Sequence, residues 1–185
     1  MRGIVLCGGS SSRMGSDKGL LLHNGIPWAQ HAGEKLITLG IPVSYAINKE
    51  QESSYAAQRI TPTFIDNNTL DIGGPLRGIF TAHLLFPKDD LFILACDLRD
   101  MHTDILRNLL TSHQQDVTVY TGEMFDEPLC GIYTHTALST LCNLYHQGKL
   151  LKHSMQYALR LLDVQRLAIP AEWVPGFRNY NSLSQ

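Results

Sequence analysis

Residues 6–19, Leu6-Cys7-Gly8-Gly9-Ser10-Ser11-Ser12-Arg13-Met14-Gly15-Ser16-Asp17-Lys18-Gly19, gather groups able to bind a polyphosphate. Gly8 and Gly9 can adopt backbone angles that aim successive N–H groups at one anion. Three serines add hydroxyl donors, and Arg13 and Lys18 add two cations that can hold phosphate oxygens through charge-assisted bonds. An ordinary flexible loop is the competing reading. The two cations, and a position directly after the apolar run Ile4-Val5-Leu6, favour the phosphate site. Two widespread phosphate loops are absent: Gly15 is not followed by Lys-Ser/Thr, and no Gly-x-Gly-x-x-Gly occurs here.

A second chemical position is Asp97, in Cys96-Asp97-Leu98, just after Leu91-Phe92-Ile93-Leu94-Ala95. That run is almost wholly apolar, as a central parallel strand must be. A carboxylate at the carboxyl end of such a strand suits Mg²⁺, a hard cation that takes carboxylate and phosphate oxygens. A helix cap or a loop carboxylate is the alternative, and position alone leaves the two level. Asp100 is a weaker second carboxylate, and Arg99 reads as a solvated side chain or a contact for an anionic substrate. Asn48 ends another apolar run; on its own it reads as the cap of a helix over 49–58. Asp66 and Asp71 compete for any acidic role after Thr63-Phe64-Ile65. Lys149 and Lys152 precede a helix and read first as a solvated basic loop, second as capture of a phosphate-bearing substrate.

The elements that must position these residues alternate between strand-like and helix-like, which predicts an α/β fold with a mostly parallel sheet. Strands are expected over 4–6, 42–47, 63–65, 91–95 and 116–121, and a strand entered through Glu127-Pro128 with the proline on an edge. Helical stripes are Trp28/Ala32/Leu36/Leu39, Leu76/Ile79/Phe80/Leu84 behind Pro75, Leu106/Leu109/Leu110 capped by Thr103-Asp104, Ala137/Leu138/Leu141/Cys142/Tyr145, and Met155/Ala158/Leu159/Leu162. Open α/β sheets bind ligands at the carboxyl ends of their strands, where Gly8, Asn48, Asp66 and Asp97 fall.

The Leu6-Cys7-Gly8-Gly9 to Arg13-Met14-Gly15 and Asp17-Lys18 signature resembles that of the molybdenum cofactor guanylyltransferases, within the nucleotidyltransferases. Gly73-Gly74-Pro75-Leu76-Arg77-Gly78, Cys96-Asp97 and Asn179-Tyr180-Asn181 extend the resemblance over most of the chain. It departs where the family's proline after Cys-Asp-x is Arg99, and where Ser182-Leu183 stands for Thr-Pro. The resemblance implies a single Rossmann-like three-layer α/β/α domain over 1–185, of the nucleotide-diphospho-sugar transferase type. It implies GMP transfer from GTP to the molybdopterin cofactor with Mg²⁺ and release of pyrophosphate. Leu6, Cys7, Gly8, Gly9, Ser10, Lys18, Asn48, Asp66 and Asp97 would then bind nucleotide. Lys18, Arg13 and Asp97 would be catalytic, with Asp97 on the metal. Lys149, Lys152, Asn179 and Asn181 would meet the second substrate. A relative using CTP or a sugar-phosphate acceptor, or a non-catalytic nucleotide-binding regulator, is the alternative.

Composition agrees with one globular domain: 185 residues, 44% hydrophobic and 17% charged. A net charge of −2 argues against a general nucleic-acid surface. No apolar run reaches the length of a membrane span, and the first residues enter a strand with no room for a signal peptide. Four cysteines without a Cys-x-x-Cys pair and eight histidines without zinc spacing read as buried thiols and scattered surface groups of a cytoplasmic protein. Expected partners are GTP and molybdopterin, with transient contact to other cofactor-biosynthesis proteins or molybdoenzymes; no nucleic acid and no membrane are expected.

Overall fold

The computed structural model describes residues 1–8 and 17–180. Its centre is a seven-stranded sheet of β1 (Arg2–Leu6), β4 (Val43–Ile47), β5 (Thr63–Ile65), β6 (Leu91–Ala95), β7 (Val117–Thr121), β8 (Asp126–Tyr133) and β9 (Val164–Ala168), in the order β5-β4-β1-β6-β8-β7-β9. All neighbouring pairs are parallel except the two made by β8, which runs antiparallel to β6 and β7. A small hairpin of β2 (Leu22–His23) and β3 (Ile26–Pro27) stands apart. Asn24 and Gly25 turn it with φ of +51° and +80°, the pairing that a two-residue hairpin turn demands.

Strand periodicity splits the core in two. Val5, Phe92 and Leu94 face one side, with Ala29, Ala32 and Leu36 of α1 (Trp28–Ile37) and Ile105, Leu106 and Leu109 of α4 (Thr103–Ser112). Ile4, Leu91 and Ile93 face the other side. There they meet Leu76, Ile79 and Phe80 of α3 (Pro75–Leu85) and Leu138 and Leu141 of α5 (His135–His146). Alternation along a strand sends successive side chains to opposite faces, so a sheet buried on both sides needs the apolar runs seen in β1 and β6. The result is the expected three-layer α/β/α arrangement.

Several local expectations are corrected. The segment after Asn48 is a 3-10 turn, Lys49–Gln51, followed by the short α2 (Glu52–Ala57), not one continuous helix. Leu84 is 51% exposed, and His83 takes the buried position at that end of α3. The cap of α4 is His102 without a side-chain bond; Asp104 pairs with Arg107 instead. Ile105 enters the α4 stripe and Leu110 is half-buried, as are Leu39 and Tyr145 on their own stripes. Leu162 lies beyond α6 (Met155–Leu159). Pro128 is in an interior strand. It is tolerated because the β7–β8 register slips between Val119 and Tyr120 and pairing to β6 begins only at Cys130, so no ladder partner requires its missing N–H.

Candidate active site

β1 lies at the point where the strand order reverses, with β4 and β5 to one side and β6 to the other. Ligand crevices of open α/β sheets open at such switch points. β1 ends at Leu6, Cys7 follows it, both are buried, and the Gly8 N–H donates to the Ala46 carbonyl at 3.2 Å. Asp17 accepts from the Gly19 N–H at 2.9 Å and so caps the 3-10 turn Lys18–Leu20. Lys18 Nζ stands 3.3 Å from Oδ2 of Asp97, which follows β6. The two side chains are 23% and 21% exposed, so the pair is partly open to solvent. Gly9, Ser10 and Arg13 lie outside the described residues, as does Asn181.

Gln51 is the residue that the sequence reading missed. Its Nε2 donates to the Cys7 carbonyl at 3.2 Å and to Asp17 Oδ2 at 2.8 Å, and its Oε1 accepts the Asn48 N–H at 2.8 Å. The Gln51 N–H donates to Asn48 Oδ1 at 3.0 Å, completing a capping box. Asn48 is therefore a cap, as its sequence position suggested, and it lies at the crevice as well. The spacing Asn48-x-x-Gln51 is the signal that finds both. Burial pushes the Asp17 carboxyl above its ordinary range, against the lowering effect of the Gln51 and Gly19 bonds.

Asp66 follows β5 and packs between two glycines. A Cβ on Gly8 would stand 3.1 Å from Asp66 Oδ2, and one on Gly78 of α3 would stand 3.2 Å from Oδ1. At either glycine an added Cβ would make the carboxylate give by a few tenths of an ångström. Burial pushes Asp66 up to about 6, and its buried Oδ1 has no hydrogen-bond partner among the described residues. Asp71, the competing carboxylate, is exposed, and its backbone N–H donates to the Tyr145 hydroxyl at 3.0 Å.

Arg99 is not a solvated side chain. Its side chain is 15% exposed, its guanidinium lies 3.6 Å from the Tyr180 ring centroid, and its Nε donates to Asp100 at 3.0 Å. The Tyr180 hydroxyl also donates to Asp100, and the Tyr180 N–H donates to the Asp97 carbonyl at 3.2 Å. Where the resemblance expects a proline, an arginine fastens the C-terminal segment to the Asp97 turn. Lys35 of α1 supports the same turn, donating to the Arg99 carbonyl at 2.7 Å, and burial pulls its ammonium down to about 8. Asn179, beside Tyr180, is exposed.

Further along the same sheet edge, a cleft of about 940 Å³ is lined by Thr121, Phe125, Glu127, Ala168, Val174 and Phe177. Burial pushes the Glu127 carboxyl up. Lys149 and Lys152 are exposed on the connection between α5 and α6, and no bond joins them to Lys18 or Asp97 among the described residues. Cys96 is buried, and its hydrogen bond with Cys7 together with desolvation pushes its thiol well up, which leaves it without nucleophilic character. No helix among the described residues is long and apolar enough to cross a membrane.

Lys18 of the turn before the hairpin and Asp97 after β6 meet at the switch point of a three-layer sheet, and the family model that matches the chain makes it an NTP transferase domain. The chain belongs to the family described as the MobA-like NTP transferase domain, whose model matches residues 3–162. It is 30% identical over 136 residues to a probable molybdenum cofactor guanylyltransferase of Flavobacterium johnsoniae, covering 72% of this chain and 68% of that one. Identity to the molybdenum cofactor biosynthesis bifunctional protein of Synechocystis is 34% over 167 residues, 88% of this chain and 46% of that longer protein. The crystal structure of molybdopterin-guanine dinucleotide biosynthesis protein A from Archaeoglobus fulgidus has the same fold, with a TM-score of 0.77 at 20% identity over 100% of this chain and 94% of that one.

Proposed function

We propose that this chain transfers GMP from GTP to the phosphate of molybdopterin and releases pyrophosphate. The observation that carries the reading is the meeting of Lys18 and Asp97 across the β1–β6 crevice, 79 residues apart in sequence. The names of the curated relatives supply the nucleotide and the acceptor.

The acceptor phosphate is already an anionic nucleophile, so alignment and charge neutralisation are what the protein must add. An acceptor oxygen forms the new bond to the α-phosphorus as the bond to the β-phosphate oxygen breaks, and the electron pair leaves on pyrophosphate. Residues 8–12, with Arg13, hold the β- and γ-phosphates. Lys18 turns from Asp97 to the α-phosphate and stabilises the charge that develops there. Asp66 accepts the N1–H and N2–H₂ donors of guanine, and Asn48 borders the nucleotide. The cleft by Glu127 and Phe177 receives the acceptor, with Asn179, Asn181, Lys149 and Lys152 around it.

The donor set fits Mg²⁺. Among the described residues no cluster of three or more His, Cys, Asp or Glu side chains could cage a metal. Mg²⁺ characteristically takes one or two carboxylates and completes its shell with substrate phosphates and water. Asp97 would hold it and, when bound, the ion would supply charge neutralisation on the phosphate oxygens. We further read the chain as one domain acting in the cytoplasm, with transient contacts to other cofactor-biosynthesis proteins or molybdoenzymes.

The test supplies GTP, CTP or ATP, each with Mg²⁺ and molybdopterin, and follows pyrophosphate. Release with GTP and not with the others is expected. Preference for CTP would make the chain a cytidylyltransferase. Binding of GTP without pyrophosphate release would make it a regulator.

A further inference from the structure

We infer that Gln51 is a positioning residue that closes the base of the phosphate loop and thereby sets where Lys18 stands. This rests on the nucleotidyl-transfer reading above. Cys7-Gly8 follows β1, and Asp17 caps the turn that begins with Lys18. Gln51 Nε2 reaches both points, the Cys7 carbonyl at 3.2 Å and Asp17 Oδ2 at 2.8 Å. The other carboxylate oxygen of Asp17 accepts the Gly19 N–H at 2.9 Å, which fixes the turn that begins with Lys18. Tyr55 of α2 closes from behind, its hydroxyl 3.5 Å from Asp17 Oδ1. The Asn48–Gln51 capping box makes the amide rigid, because its Oε1 and its own N–H are both engaged. A side chain held by three hydrogen bonds, on a backbone held by a fourth, transmits position, so the end of β4 is linked to the lysine through Asp17.

The amide matters through its donor face. Gln51→Glu keeps the shape and the oxygen that receives the Asn48 N–H, and turns an oxygen toward the Asp17 carboxylate and the Cys7 carbonyl. The turn that carries Lys18 is pushed off its position. Adding Asp17→Asn to that variant restores one donor–acceptor pair in reverse, while the amide oxygen introduced at position 17 still receives the Gly19 N–H.

Three measurements are made on the full chain: steady-state pyrophosphate release with GTP, thermal unfolding, and hydrogen exchange of the Gly19 amide by NMR. Gln51→Glu and Gln51→Leu are expected to lower kcat roughly 10- to 100-fold, the scale of a small misplacement of a catalytic group. KM for GTP should stay within about threefold, since a misplaced lysine weakens transition-state more than ground-state binding. Gly19 exchange should speed up, and Gln51→Glu/Asp17→Asn should recover activity and protection relative to Gln51→Glu. Wild-type kcat in both single variants, an unaltered Gly19 amide, or a double variant no better than Gln51→Glu would overturn the inference. Should the wild-type chain release no pyrophosphate from GTP, the functional reading fails on its own, and the Gly19 amide still decides the role of Gln51.

Discussion

Lys18 Nζ and Asp97 Oδ2 stand 3.3 Å apart and join the turn after β1 to the turn after β6. Without nucleotide they neutralise each other. On the proposed mechanism, bound nucleotide would give each a different partner, phosphate for the lysine and metal for the carboxylate. Lys18→Ala should therefore lower kcat by about 10²- to 10³-fold, the range for losing one preorganised electrostatic group. Because the pair is partly solvated, its contribution to stability should be within about 1 kcal/mol. Steady-state kinetics with urea melts check both; a raised KM with unchanged kcat would make Lys18 a holding residue only.

Gly19 is packed so tightly that a Cβ there would stand 2.0 Å from the Tyr55 hydroxyl, and Tyr55 is fully buried. Gly19→Ala must displace the turn or the ring. A loss of about 1–3 kcal/mol is expected, the usual cost of overpacking. Tyr55→Phe in the same chain removes the oxygen in the way and should recover part of it, read by urea denaturation. Simple addition of the two single effects would show that the residues do not press on each other.

Burial pushes Asp66 up to about 6. Between about pH 4 and 6 the folded protein then keeps a proton that the unfolded chain has released, so stability falls as pH rises through that window and stays lower above it. Asp66→Asn should flatten this slope and stabilise the protein at neutral pH by on the order of 1 kcal/mol, with solvent screening allowed for. The same titration bears on function. As pH drops below about 6 the carboxylate gains its proton and one acceptor for guanine is lost, so KM for GTP should rise. A pH-independent KM from about pH 5 to 8 would remove Asp66 from base recognition.

Arg99 stacks on Tyr180 and shares Asp100 with it. Arg99→Ala should loosen the C-terminal segment at the point where the Tyr180 N–H reaches the Asp97 carbonyl. Faster hydrogen exchange of the Tyr180 amide is expected, with a loss of about 1 kcal/mol from the cation–π contact. Unchanged exchange would mean that the Tyr180 backbone bond holds without the arginine.

Six of the seven sheet strands were legible because a sheet buried on both faces needs nearly unbroken apolar runs, which β1 and β6 have; β9 was not, since Val164–Ala168 is half-exposed and carries Gln165 and Arg166. Gly8, Asn48, Asp66 and Asp97 fall at carboxyl ends of those strands, and the family resemblance was needed to choose among their competing roles. What stayed hidden depends on contacts between distant segments. The Asn48-x-x-Gln51 spacing marks Gln51 as a capping-box residue, but its hold on Cys7 and Asp17 shows only when β1 and the Lys18 turn converge on it. Arg99 looks solvated until Tyr180 returns from 81 positions later in the chain to cover it. Leu84 fits a helical stripe by spacing, yet α3 turns it outward and buries His83. Pro128 reads as an edge residue because a register slip leaves no trace in the residues on either side.

The most direct test of the shared Lys18–Asp97 site is pyrophosphate release from GTP, Mg²⁺ and molybdopterin by Asp97→Asn, an isosteric change that removes only the charge. A loss of turnover of about 10²-fold or more is predicted, with the unfolding curve of the unaltered protein. Turnover at the wild-type rate would contradict the account.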